Sequence, residues 1–379
     1  MKESIERVLI TATVQSHICQ FHRPLVEVLH EHGCEVHVAA RNNLAEKNGL
    51  KLDFADRVYD VPFARSPASP NNLRAYKELK RLLAREHYDV IHCNTPMGGI
   101  VTRLAARKAR KTGAKVFYTA HGFHFYKGAP KKNWVVFFPI EKAFARITDK
   151  LITITAEDYA LASQRFHCSA ERIHGVGVDE ARYFPVSAEE KLRLREEMGF
   201  APEQKILLCV GELLPNKNQK MAIRMMRRIV ERHPDALLLL AGNGPERENL
   251  EREIAACGME NNVQLLGYCT HLQDYQHIAD ALVSCSHREG LPLNIVEAMM
   301  SGNPVVVTEN RGHRELIRDG ENGFLVPRDD EAAMAEKVLT LLENDTLASE
   351  LRAAALVRAR EYGYRNVKRE LESIYFPIE

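Results

Sequence analysis

Two glutamates, Glu289 and Glu297, flank a Gly-Leu-Pro step in the stretch SHREGLPLNIVEAMMSGNPVV, with seven residues between them. Pro292 suits the first turn of a helix, where its missing N–H costs nothing. Leu293, Ile295, Val296, Met299 and Met300 give that helix an apolar face. Glu289 then lies in the loop before the helix, and Glu297 about 7.5 Å farther along the axis at roughly 1.5 Å per residue. Between the two acids, the unpaired amides of the first turn form a place for an anion. Hydroxyls at both ends and phosphate in the middle describe a nucleotide-sugar. Each acid also has an ordinary alternative, Glu289 as a partner of the helix dipole and Glu297 as a solvated helix residue.

A motif of this kind has to be carried on strand ends. Short β-branched runs alternate with longer helical patterns along the chain, which predicts parallel sheets covered by helices. RVLITATV, CEVHVAA, DVIHCN, KVFYTAHG and KLITITA read as strands of one sheet. After the turn-rich connector HGVGVDEARYFPVS a second series follows, with ILLCVGEL, ALLLLAGNG, VQLLGY, ALVSCS and PVVVTE. Glu289 thus belongs to the loop leaving the strand ALVSCS. The expected organisation is two doubly wound α/β domains, residues 1–178 and 179–360. Residues 361–379 are expected to form a helix packing back on the first. Ligands of such sheets bind at the carboxyl ends of the strands, so a cleft between the domains is the expected site.

A chain of 379 residues is long enough for two cores. No run reaches the roughly 18 to 20 apolar residues of a membrane span, and the N-terminus does not read as a signal peptide, so a cytoplasmic location is expected. The eight cysteines are scattered without a C-x-x-C pair and read as small hydrophobes, not as disulfides or zinc ligands. Residues 1–180 hold 27 basic and 19 acidic residues, net +8, against 25 and 32, net −7, in the rest. From Val90 to Ile140 there are nine basic residues and no acidic one: Arg103, Arg107, Lys108, Arg110, Lys111, Lys115, Lys127, Lys131 and Lys132. Trp134, Phe137 and Phe138 follow. Without any nucleic-acid motif, such a stretch points to an anionic membrane surface or a lipid diphosphate. The alternative is an exposed basic helix beside a core aromatic run.

The region SHREGLPLNIVEAMMSGNPVVVTENRGHRELIRDGENGFLVP resembles the signature of the family-4 type retaining glycosyltransferases of GT-B fold, whose hallmark is Glu-x7-Glu. VGELLPNKN, LLLLAGNGPERENLE and VQLLGYCTHLQDYQHIADALVSCS stand in the family's order upstream of it. TATVQSHICQFHRPLVEVLHEHGCEVHVAA and TAHGFHFYKGAPKKNWVVFFPIEK resemble the branch that builds bacterial capsules and exopolysaccharides.

The resemblance implies roles for individual residues. Glu289 would bind hydroxyls of the transferred sugar and Glu297 those of the ribose. Amides around Gly290, Leu291, Leu293 and Asn294 would cap the diphosphate, and Lys217 would neutralise it as it leaves. Gly211 and the Gly242-Asn243-Gly244-Pro245 turn would let backbone approach the donor, with Tyr268 framing the base. His121 would line the sugar pocket, while Asn94 and Ser16 end neighbouring strands and could face the acceptor. Lys217 as a solvated lysine, Tyr268 as a core residue and His121 as a plain loop residue are the competing readings. In the family the residue after the strand glycine is often an arginine, but here it is Glu212, which is expected to pair with a cation such as Arg288.

The family needs no obligatory metal, and no Asp-x-Asp pair is present, so no cofactor is expected. The implied reaction moves a sugar, with UDP-N-acetylhexosamine the first candidate donor, to a polyprenyl-diphosphate-linked glycan. A nucleotide-sugar 2-epimerase and a non-enzymatic assembly partner are the alternatives.

Overall fold

The structure, a computed structural model, describes residues 5–46 and 49–377 in two units. One comprises the chain up to Gly177 and again from Tyr364; the other is Val178–Gly363. The first unit holds seven parallel strands: β1 (Arg7–Val14), β2 (Glu35–Arg41), β3 (Arg57–Asp60), β4 (Val90–Asn94), β5 (Lys115–Ala120), β6 (Lys150–Thr153) and β7 (Ser169–Arg172). Their order is β3-β2-β1-β4-β5-β6-β7, so the winding reverses between β1 and β4. The second unit holds β8 (Ile206–Val210), β9 (Leu237–Ala241), β10 (Val263–Gly267), β11 (Ala281–Ser284), β12 (Val305–Thr308) and β13 (Phe324–Val326). Here the order is β10-β9-β8-β11-β12-β13, with the reversal between β8 and β11.

Helices on both sheet faces explain why the central strands read as unbroken apolar runs. β1 is buried at every position after Arg7. In β8 the side chains alternate between two cores, Leu207 and Cys209 on one face and Ile206 and Leu208 on the other. β3 and β7 lack this signal because they lie at sheet edges and are largely exposed or half-buried, while β13 is three residues long. Of the cysteines, Cys34, Cys93, Cys209 and Cys285 are buried, and all eight are free thiols.

The helix Tyr364–Tyr375 belongs to the first unit. Val367, Leu371, Ile374 and Tyr375 form its buried face, and it packs on the helix Arg23–Glu31. Lys368 pairs there with Glu27 at 2.7 Å and Glu31 at 3.1 Å. Tyr375 reaches into the sheet, its hydroxyl 2.5 Å from Nδ1 of His92.

Candidate active site

In the second unit, the loops after β8 and β11 sit at the point where the strand order reverses, which is where such sheets bind ligands. After β8, Pro215–Lys217 form one 3-10 turn. Asn218 closes the turn in the left-handed region with φ 50°, and the helix Gln219–Val230 begins. This turn brings Lys217 to the β11 loop, where its Nζ lies 2.7 Å from Oε1 of Glu289. Asn216 joins the same two loops, its amide Nδ2 donating to the Arg288 carbonyl and its own carbonyl accepting from the His287 amide, each at 2.9 Å.

The β11 loop is held from below by the next strand. The Ser286 carbonyl accepts from the Thr308 hydroxyl at 2.7 Å and from Nδ2 of Asn310 at 2.8 Å. Asn310 also caps the helix Arg311–Leu316. A Cβ on Gly312 of that helix would lie 2.6 Å from Cβ of Glu289 and 2.6 Å from the Gly290 carbonyl oxygen, so only glycine lets the helix support the loop. His313 is buried, and burial lowers its affinity for a proton to a pKa of about 4. Its Nδ1, 2.5 Å from the Thr308 carbonyl, carries the proton, leaving Nε2 to face the Ser284 hydroxyl at 3.2 Å.

Pro292 stands one place earlier than the sequence predicts, as the extended cap of the helix Leu293–Met300. The amides of Leu293 and Asn294 have no backbone acceptor among the described residues, and the Asn294 side chain donates to the Val210 carbonyl at 2.8 Å, tying the helix start to the end of β8. Glu297 keeps part of its surface open, yet its carboxyl is enclosed by protein. That burial pushes it up to about 7, against the opposing pull of the Arg182 charge and a hydrogen bond from Tyr183. Arg182 and Tyr183 come from the connector and carried no motif in the sequence. Asn216, Gly312 and His313 escaped notice too, though each stands beside a residue or motif already singled out.

The remaining second-unit residues fall as follows. A Cβ on Gly244 would lie 2.3 Å from the Leu213 carbonyl oxygen, and one on Gly242 1.9 Å from that of Gly211, so these glycines allow two backbone loops to touch. Gly211 packs against the aliphatic stem of Lys217. Leu291 packs on the core beneath, and Tyr268 is 50% exposed, which rules out a core role. The expected Glu212–Arg288 pair is a correction. Both residues are exposed, and no ion pair joins Glu212 to any described residue. Glu212 instead uses its backbone carbonyl, which accepts from Gln219. The loop contact expected of its carboxylate is made by Asn216.

In the first unit the polar residues again follow the strands at the reversal. Thr95, after β4, adopts φ 63° and ψ 150°, a conformation costing on the order of 1–3 kcal/mol for a side-chain-bearing residue. Its hydroxyl is held 2.7 Å from that of Thr13. Asn94 and Ser16 do not face outward as expected. Asn94 is buried and bonds the Thr11 carbonyl and His121, while the Ser16 hydroxyl accepts from Nδ2 of Asn43 at 2.9 Å. His121, after β5, stands with Nε2 3.2 Å from Nε2 of His17. His22 packs against both rings. Burial holds His17 and His22 well below the ordinary imidazole range and brings His121 to about 4 and His92 to about 3.

The basic stretch is less uniform than its sequence. Arg103 is 1% exposed, pairs with Glu141 at 3.1 Å and stacks on Tyr118, so it belongs to the interior. Arg110 pairs with Asp149, and Phe138 and Trp134 pack on the core with Phe125. Lys131 and Lys132 remain exposed at the start of the helix Lys131–Ala145, with Val135, Val136, Phe137 and Ile140 exposed farther along. No helix among the described residues is long and apolar enough to cross a membrane.

Comparison with known proteins extends over the whole chain. Residues 190–360 match the family model described as Glycosyl transferases group 1, and residues 23–178 the one described as Glycosyltransferase Family 4. The chain is 41% identical over 372 residues, 98% of its own length and 96% of the other's, to the Bacillus subtilis (strain 168) protein EpsD, whose name marks it as a candidate glycosyltransferase. It is 27% identical to the UDP-Gal:α-D-GlcNAc-diphosphoundecaprenol α-1,3-galactosyltransferase of Escherichia coli, over 76% of each chain. The solved structure of HepE from Anabaena, in complex with UDP and glucose, shares the fold with a TM-score of 0.80 at 19% identity, covering 98% of this chain and 100% of that one.

Proposed function

Because the chain belongs to the family-4, group 1 glycosyltransferases, enzymes here built on the GT-B architecture of two Rossmann-like units, we propose that it transfers a sugar from a UDP-sugar to a polyprenyl-diphosphate-linked glycan with retention of configuration, in exopolysaccharide or capsule assembly. UDP-N-acetylhexosamine is the first donor to test. The observation that carries this reading is the Lys217–Glu289 pair beside the open start of the helix Leu293–Met300. An incoming diphosphate competes with Glu289 for Lys217 and is capped by the amides of Leu293 and Asn294. Glu289, released from its pair, orients the sugar hydroxyls, and Glu297 with Tyr183 at hand holds the ribose. The names of the Escherichia coli and Anabaena relatives, which specify UDP-Gal with a lipid diphosphate and UDP with glucose, support the same donor and acceptor classes.

In this mechanism the bond from the anomeric carbon to the diphosphate breaks as the acceptor oxygen attacks the same face. The acceptor's proton goes to the departing phosphate oxygen, and Lys217 offsets the charge that develops there, an effect worth roughly 3 to 4 kcal/mol for one such donor. The phosphate site then needs no metal ion. The exposed apolar residues beside Lys131 and Lys132 support reversible docking of the first unit on an anionic membrane, where the acceptor resides.

The test is transfer from UDP-N-acetylglucosamine, UDP-galactose, UDP-glucose and GDP-mannose to polyprenyl-diphosphate glycans in EDTA, with the anomeric configuration of the product read by NMR. Retained configuration with full activity in EDTA is expected. Inverted product, or activity restored only by Mg²⁺ or Mn²⁺, overturns the mechanism. Absence of transfer to any lipid-linked acceptor overturns the acceptor class.

A further inference from the structure

We propose that His17, His22 and His121 form a binding site for a divalent transition metal, Zn²⁺ in the first instance, at the carboxyl end of the first unit's sheet. One ring nitrogen from each histidine lies within 4.8 Å of the other two. The Nε2 atoms of His17 and His121 are 3.2 Å apart. Tetrahedral zinc with nitrogen ligands at 2.0–2.1 Å sets neighbouring ligands about 3.3 Å apart, so this pair already has the required spacing. The third ligand closes onto this pair from within 4.8 Å.

An independent observation comes from His22. It is 4% exposed, and its Nε2 has no hydrogen-bond partner. A buried ring nitrogen left this way carries an unrecovered desolvation cost, which coordination removes. His92 supplies the contrast. Its ring centroid is 6.2 Å from that of His22, but both of its nitrogens are engaged, by Tyr375 and Thr119, so it is a structural histidine and not a ligand.

Three imidazoles without a carboxylate select Zn²⁺, Cu²⁺, Ni²⁺ or Co²⁺ over Mg²⁺ and Ca²⁺. They also leave a fourth coordination position and an uncompensated double charge. Arg65 lies close enough to His17 to add to the positive field. An anionic oxygen, from hydroxide, a carboxylate or a phosphate, completes such a site. The three ligands belong to the first unit and Lys217 to the second, and metal-independent transfer is compatible with metal binding here. Only one consequence rests on the function proposed above: with its ring coordinated, His121 cannot reach a donor sugar, and the metal inhibits.

The experiment uses the full chain, stripped of metal and titrated with Co²⁺ read by visible absorption and with Zn²⁺ against a chromogenic chelator. One equivalent bound per chain with the absorption of four-coordinate cobalt is expected, with affinity weakened at least about 100-fold in His17→Gln and His22→Gln. The exposed His30→Gln should bind like the wild type. No stoichiometric binding by the wild type, or affinity in both ligand variants equal to that of the wild type, overturns the proposal. Should His22→Gln fail to fold, diethylpyrocarbonate labelling of the wild type decides: Zn²⁺ must protect His17 and His121, and unchanged labelling sinks the site. Tight binding without inhibition of transfer would count against the placement of His121 in the donor pocket and leave the metal site standing.

Discussion

Both sheets set their polar residues after the strands at which the order reverses, β1 and β4 in the first unit and β8 and β11 in the second. In the second unit these residues carry formal charge: Lys217 and Glu289 pair at 2.7 Å, and Glu297 stands on the helix that follows. In the first they are imidazoles, an amide and a hydroxyl, namely His17 after β1, Asn94 and Thr95 at the end of β4, and His121 after the adjacent β5, held by burial and by each other. One backbone plan therefore fixes the place of a site without fixing its chemistry. The charged site satisfies itself by pairing Lys217 with Glu289, whereas the neutral site stays uncharged because burial makes protonation expensive.

The largest expected effect tests the charged side. Lys217→Ala should lower kcat about 10²–10³-fold, because the loss falls on the transition state. It also strands the Glu289 carboxylate, 13% exposed, so unfolding by urea should be measured in parallel. His121→Ala removes a neutral contact and should cost less, roughly tenfold, the worth of one neutral hydrogen bond. If Lys217→Ala proved the milder of the two, the cation for the leaving group would have to be sought among the basic residues of the first unit.

Within the second unit the two acids should separate. Glu297→Ala is expected to weaken UDP binding by about 1–3 kcal/mol through loss of charge-assisted hydrogen bonds. Glu289→Ala should leave UDP affinity equal or higher, since it frees Lys217 from its partner, while turnover falls. Calorimetric titration with UDP checks both, and identical affinity in the two variants would break the assignment of ribose and sugar ends.

The same contrast predicts opposite responses to pH. His92 and His121 have folded pKa values of about 3 and about 4, below the ordinary 6.5, so the contribution of each to stability is present above 6.5 and lost as the pH falls toward the folded value. Glu297 has a folded value near 7 against an ordinary 4.5, so its contribution is present below 4.5 and lost as the pH rises through 7. Between pH 7.5 and pH 5 a histidine like His121 should lose about 2 kcal/mol, and Glu297 should gain a similar amount. The unfolding free energy of the wild type relative to His121→Gln should therefore fall on acidification, and relative to Glu297→Gln it should rise. Two slopes of the same sign would mean that one of these groups is not buried as described.

Legibility in the sequence followed the same division. The central strands were readable because burial on both faces makes them apolar, while β3, β7 and β13 were not, being exposed at edges or too short. Lys217, Glu289 and Glu297 were visible because they belong to one motif series, and the structure joins the first two directly. Their enclosure was not visible. Nothing in the spelling of the connector shows that Arg182 and Tyr183 reach Glu297, and a Gly-His pair in ENRGHREL does not reveal that Gly312 must lie bare against Glu289. The histidine group was hidden for the same reason, since the β1 and β5 segments that supply it are about a hundred positions apart in sequence.

The smallest effect concerns what holds the two charged loops together. The sequence assigned that task to Glu212 because a carboxylate in place of an arginine demands a cation, yet an exposed carboxylate is satisfied by water and needs none. Asn216 meets a stricter requirement, because its side-chain amide and its backbone carbonyl bond Arg288 and His287 at once, coupling the turn that carries Lys217 to the loop that carries Glu289. Asn216→Ala should therefore cost about 1 kcal/mol of stability, and turnover should drop several-fold with little change in UDP affinity. Glu212→Gln should stay within about 0.5 kcal/mol of the wild type. Urea midpoints and steady-state kinetics on the two variants decide between them. A larger loss in Glu212→Gln than in Asn216→Ala would return the loop to electrostatic control and give Glu212 a partner formed only when donor is bound.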